Sequence, residues 1–199
     1  MIPAMTKRQQ LIKLLAERSV QRGHFTLASG MSSDIYVDAR ITTMSPEGLA
    51  LIGPLAIEAV RAAGWMLDAI GGLTLGADPI AYSISYTSNS MPPLLRAFSV
   101  RKEAKTHGTS QLIEGPFHDR DRVAVIEDVI TTGASALRAI DAIQSRGGII
   151  KGVLALVDRE LGGRKTIENA GYNVVSLIRI GEITALIPGF RENPDSADA

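Results

Sequence analysis

The stretch VAVIEDVITTGAS, residues 123–135, decides how this chain is read. Val123, Ala124, Val125 and Ile126 are followed by two adjacent acids, Glu127 and Asp128, and then by Val129 and Ile130. Thr131, Thr132, Gly133, Ala134 and Ser135 form a run of small and hydroxylic residues. Leu137, Ile140 and Ile143 then recur at helical spacing as far as Gly147 and Gly148. The order predicts a buried strand over 123–128, an acidic strand end, a tight turn and a helix N-terminus. Such a turn aims backbone N–H groups and the positive end of a helix at one point, which suits a phosphate. The two acids would repel a phosphate. They suit sugar hydroxyls, or a cation carried in with the ligand. A phosphate cradle beside two hydroxyl acceptors describes a site for a ribose 5-phosphate. The stretch is not a nucleotide P-loop, which ends in Gly-Lys-Ser/Thr, and no G-x-G-x-x-G dinucleotide fingerprint follows the strand.

Working outward, apolar strands are expected at residues 69–75, 97–101, 150–158 and 174–178. Helices are expected between them, over 6–21 with Thr6 as N-cap and Gly23 as stop, from Ser45-Pro46-Glu47 to about Gly64, and from Gly76 to Ser88. Residues 24–40 read as short strands around a turn at 28–33. Alternation of this kind implies an α/β fold with a parallel sheet covered on both faces. The tail, 188–199, is polar and expected to fray.

Composition bounds the rest. A chain of 199 residues with 45% hydrophobic content supports one domain with a sizeable core. Lys+Arg and Asp+Glu both number 21, so no net charge calls for nucleic acid. With no cysteine there is no disulfide, thiol chemistry or Cys/His metal site. The start, MIPAMTKRQQ, lacks the apolar core of a signal peptide, and no apolar run approaches the roughly 18 residues of a membrane span. The expectation is a soluble cytoplasmic protein.

Three further segments carry site chemistry. Arg101, Lys102, Lys105 and His107 crowd a glycine-bounded loop that directly follows a strand. A solvated basic loop is the simple reading. Ligand groups, however, gather at strand ends in α/β sheets, and a mobile loop over about 101–115 could neutralise a leaving pyrophosphate and exclude water. Arg159 follows the strand ending at Asp158, and its planar fork could grip a carboxylate. From the residues alone, a surface pair with Asp158 or Glu160 is the plainer reading. Residues 25–40, with Ile35 and Tyr36, read only as a turn between strands.

Taken in this order, the Phe-Thr-Leu-x-Ser-Gly start, the Arg-Lys-Glu-Ala-Lys-x-His-Gly loop, the Ile-Glu-Gly after it and the acidic-pair motif resemble the orotate phosphoribosyltransferase family. The resemblance spans about residues 6–188. It implies a type I phosphoribosyltransferase fold, with a central parallel sheet and a small hood from about 1–40 and 180–190. It further implies a homodimer in which the catalytic loop of one subunit reaches the site of the other.

The residue roles follow by the same resemblance. Glu127 and Asp128 would hold the ribose hydroxyls of 5-phosphoribosyl 1-pyrophosphate (PRPP), and residues 129–135 would line it, with 131–135 on the 5-phosphate. Arg101, Lys102, Lys105 and His107 would contact pyrophosphate. Arg101, Lys105, His107 and Asp128 would be catalytic, Lys105 and His107 as stabilisers of the leaving group. Thr131, Arg159, Ile35 and Tyr36 would take orotate, and Mg²⁺ would be held mainly by PRPP. The reaction implied is displacement of pyrophosphate by N1 of orotate through an oxocarbenium-like state, giving orotidine 5'-monophosphate for pyrimidine biosynthesis. The chain departs at Ala28, where many bacterial members carry Lys, and at Asp78-Pro79, where many carry Tyr-Lys. Two rivals stand beside this reading: a sister enzyme acting on a purine base, and a PRPP-sensing regulator without catalysis.

Overall fold

The computed structural model describes residues 4–26, 32–103 and 111–189. The turn carrying Ala28, the loop residues Lys105 and His107, and the tail 190–199 lie outside the described residues. In chain order the elements are α1 (Lys7–Arg18), β1 (Val20–Thr26), β2 (Ser32–Val37), α2 (Arg40–Thr43), α3 (Pro46–Ala62), β3 (Ala69–Leu73), α4 (Ala77–Thr87), β4 (Arg96–Val100), β5 (Ile113–Glu114), β6 (Arg122–Ile130), α5 (Ala134–Ser145), β7 (Ile149–Asp158), α6 (Gly163–Asn169), β8 (Val174–Arg179) and α7 (Ile180–Thr184).

Six strands form one sheet in the order β5-β4-β3-β6-β7-β8. All neighbours are parallel except β5, which runs antiparallel to β4. Strand periodicity explains how one apolar run serves two layers. Along β6, Ala124 and Ile126 enter the cluster built with α1, α3 and α4. Val123 and Val125 enter the cluster on the other face, with Ala136, Ala139, Ile140 and Ile143 of α5.

The other sheet is the antiparallel pair β1-β2. It stands beside α1, and α1 in turn meets α7, so the two ends of the described chain come together. Arg8 on α1 donates two 2.7 Å hydrogen bonds to Glu182 on α7. Arg8 Nε also donates to the Leu177 carbonyl at 3.1 Å.

Several expectations need correction. α1 is capped by Thr6 in a reciprocal box with Gln9, but it stops at Arg18. Val20, counted on its apolar stripe, instead opens β1 opposite Val37, and Gly23 lies within β1 beside a register shift. A β-branched residue at a helix end gains more from cross-strand pairing than from another helical turn. β3 ends at Leu73 rather than Leu75. β4 ends at Val100, although the Arg101 N–H still donates to the Leu112 carbonyl at 2.8 Å. The basic segment therefore returns to the sheet at β5, which no sequence signal announced. β6 runs past the acids to Ile130, because β7 continues beside it to Asp158. Short α2, α6 and α7 were not anticipated either; pieces this brief are held by tertiary contacts rather than by propensity.

Candidate active site

The C-terminal ends of β3, β4, β6 and β7 bring four segments to one edge of the sheet: 74–76, 101–103, 131–133 and 159–160. This is where parallel α/β sheets place ligands. Gly133 adopts a left-handed conformation (φ 84°) and opens α5 with no side chain capping it. The Ala134 N–H makes only a long 3.4 Å contact with Thr132 Oγ1. Thr132, Ala134 and Ser135 are exposed. The first turn of α5 thus offers N–H groups and the positive helix end to an anion. The turn is fixed from behind. A Cβ added at Gly133 would sit 2.8 Å from the Gly163 carbonyl oxygen, and one added at Gly163 would sit 2.4 Å from that of Thr131.

Glu127 and Asp128 sit inside β6, half-buried. Asp128 Oδ1 accepts from the Val129 N–H at 2.9 Å. Its carboxylate lies over Gly76, where an added Cβ would approach Oδ2 to 2.4 Å. A glycine after β3 is therefore what lets the acid lie in that position. The carboxyl of Glu127 is pushed well above the ordinary range, first by burial, then by the neighbouring charge of Asp128 and its hydrogen bond. The raised Glu127 carboxyl beside a second acid favours hydroxyl donors or a cation placed between the two.

Arg159 is neither exposed nor paired with Asp158 or Glu160, which overturns the surface-pair reading. It is 7% exposed and crosses to the two-stranded sheet. There Nη2 donates to Ser33 Oγ at 2.9 Å and to the Ile35 carbonyl at 3.3 Å. Its Nε is buried without a partner, and burial pushes the guanidinium below its ordinary pKa. A buried, unsatisfied guanidinium edge calls for an acceptor. Ile35 is buried, and Tyr36 is half-exposed with its ring centroid 5.6 Å from that of Phe25.

The basic segment is described as far as Glu103. Arg101 Nη1 lies 3.6 Å from Glu114 Oε1, and Arg101 Nε is buried without a partner. The Lys102 carbonyl accepts from Arg138 Nη2 of α5 at 3.0 Å, so the helix that follows the 131–133 turn also holds residue 102.

Two features escaped the sequence reading. Ser33, which bonds Arg159 from within β2, reads in the sequence as one more turn serine and carries no signal. Gly162-Gly163 is a recognisable turn dipeptide, but its packing against 131–133 is visible only in three dimensions.

No family model matches the chain. An orotate phosphoribosyltransferase of Aquifex aeolicus is 45% identical over 182 residues, covering 90% of this chain and 98% of the relative. The chain belongs to the orotate phosphoribosyltransferase family. Solved members agree in structure. The Mycobacterium tuberculosis H37Rv orotate phosphoribosyltransferase in complex with Fe(III) dicitrate superposes with a TM-score of 0.78 at 42% identity, covering 89% of this chain and 99% of that one. The same enzyme in complex with PRPP gives a TM-score of 0.75 at 39% identity, covering 89% and 99%. Membership in the orotate phosphoribosyltransferase family confirms the type I fold expected from the acidic-pair motif. It sets the purine-specific and regulatory rivals behind the orotate reading.

Proposed function

We propose that this chain transfers ribose 5-phosphate from PRPP to N1 of orotate, releasing pyrophosphate. The observation that carries the reading is the convergence of Arg159, with its unsatisfied Nε, and the uncapped α5 turn on one sheet edge. One element suits a planar carboxylate and the other a phosphate. Residues 131–135 receive the 5-phosphate, while Glu127 and Asp128 accept from the ribose hydroxyls, with Val129 and Ile130 lining the strand end. The backbone at Ile35 and Tyr36 edges the base, with Thr131 close to both substrates. Arg101, Lys102, Lys105 and His107 draw charge toward the departing pyrophosphate. Catalysis is then positioning and electrostatics, with no covalent nucleophile.

The carboxylate pair suits a Mg²⁺ that arrives on substrate oxygens, since that ion keeps to phosphate and hydroxyl ligands and dehydrates reluctantly. It would supply charge neutralisation at the pyrophosphate. The working unit is a homodimer that shares its loops between sites. Tyr82, Tyr86 and Leu94 are 53%, 81% and 69% exposed, an apolar face that suits a second copy. The described residues contain no helix long and apolar enough to cross a membrane, and the proposed compartment is the cytoplasm.

Orotate absorbance followed with PRPP and Mg²⁺, beside adenine, hypoxanthine and uracil, tests the reading. Loss of orotate alone is expected. Turnover of a purine instead would move the chain to a sister activity, and PRPP binding without turnover would make it a regulator.

A further inference from the structure

Arg159 is presented by an unusual turn. Glu160, the next residue, has a left-handed backbone (φ 57°), a conformation that costs an L-residue energy unless something holds it. The holding group is Asp158, which is 2% exposed at the end of β7. Its Oδ1 accepts from the Glu160 N–H at 2.9 Å. Its Oδ2 accepts from Arg164 Nε at 2.8 Å.

Arg164 is held in turn on every side. Nη1 donates to the Val174 carbonyl at 2.8 Å and to Glu168 Oε1 at 3.3 Å, and Nη2 donates to Ser176 Oγ at 2.7 Å. The fork therefore bolts α6 and β8 to the carboxylate that shapes the Arg159 turn. The turn is also tied to β6, because the Arg159 N–H donates to the Ile130 carbonyl at 3.0 Å.

We propose that Asp158 and Arg164 are positioning residues that fix the Arg159 turn and thereby set the preference for a carboxylated base over an uncharged one. This rests on the reading that Arg159 meets the carboxylate of orotate. A misplaced guanidinium would lose the bidentate geometry that discriminates orotate from uracil, while the phosphate turn on β6 and α5 would be left in place.

The test measures KM for orotate and for PRPP, and the orotate-over-uracil ratio of kcat/KM, in wild type, Arg159→Ala, Arg164→Ala, Arg164→Lys and Arg164→Ala/Glu160→Gly. Arg164→Ala is expected to raise the orotate KM roughly tenfold with the PRPP KM changed less than about twofold, and to lower the orotate-over-uracil ratio. Arg164→Lys keeps the charge without the fork and should fall between. Adding Glu160→Gly should recover part of the loss, because glycine adopts the left-handed turn unaided. Should Arg164→Ala not fold, Arg164→Lys decides by the same split. Equal changes in both KM values, or a lower Tm with the discrimination ratio intact, would overturn the proposal. If Arg159→Ala itself left that ratio unchanged, the carboxylate reading of Arg159 would fail instead.

Discussion

Arg159 and Glu127 are the two residues at the proposed site whose ionisable side chains burial perturbs. Arg159→Ala should cost about 1.5–3 kcal/mol of transition-state binding, the usual range for a hydrogen bond to a charged group. It should appear as roughly a 10- to 150-fold fall in kcat/KM for orotate, with the fall for PRPP much smaller. Glu127 makes a prediction in pH. Its folded pKa is raised, so folding favours the protonated carboxyl. That contribution is fully present below the ordinary value of 4.5 and is lost as pH rises through the higher folded value. Glu127→Gln is therefore expected to raise Tm more at about pH 8 than at about pH 4, while weakening ribose binding. A Tm gain independent of pH would contradict this. At this scale the sequence was half legible. The acidic pair and the hydroxyl run were read correctly as a strand feeding a turn. Arg159 was not legible, because its burial and its contact with Ser33 depend on a strand 126 residues away.

At the scale of elements, the junction between β6, α5 and α6 bears the strain of close approach. Gly133→Ala would put a Cβ into a left-handed residue and against the Gly163 carbonyl. A loss of about 1–2 kcal/mol from the backbone alone is expected, together with a raised KM for PRPP. Thermal melts and initial rates on the same preparation would check both. At the opposite edge of the sheet, Asp68 accepts from the Arg122 backbone N–H at 2.9 Å and from its guanidinium at 2.7 and 2.8 Å. Its pKa is lowered to about 2, chiefly by the Arg122 side-chain hydrogen bonds and then by the Arg122 N–H. Its contribution is present above the ordinary 3.8 and is lost as pH falls through about 2. Asp68→Asn should lower Tm at neutral pH and approach wild type at about pH 2; a constant deficit would point to packing instead. The long elements were legible because apolar period and caps are local properties. The edge strand β5 and the short helices were not, since each forms only once a neighbour is in place.

For the whole molecule, the proposed sharing of loops between subunits makes a sharp prediction. Arg159→Ala and Lys105→Ala subunits, each impaired alone at orotate well below the Arg159→Ala KM, should recover activity under that condition when unfolded and refolded together. A heterodimer would then hold one site with both defects and one with neither. A random mixture should reach roughly a quarter of wild-type activity. No recovery would show that each site is complete within one chain. Tyr86→Asp should weaken the dimer by placing a charge on the exposed face of α4, as read by sedimentation at several concentrations.

What the sequence alone determined is the local grammar of this protein. It set the apolar runs long enough to be buried on both faces, the capped helices between them, and the strand-acid-turn-helix order of residues 123–145. Those follow from interactions between residues a few positions apart. Only the tertiary structure decided which strand ends meet and which glycines admit a carboxylate or a neighbouring turn. It also decided that Arg159 is buried against β2 rather than paired at the surface. Such choices depend on packing between segments far apart in the chain. Their free energy comes from burial and hydrogen-bond satisfaction that exist only once the sheet has assembled.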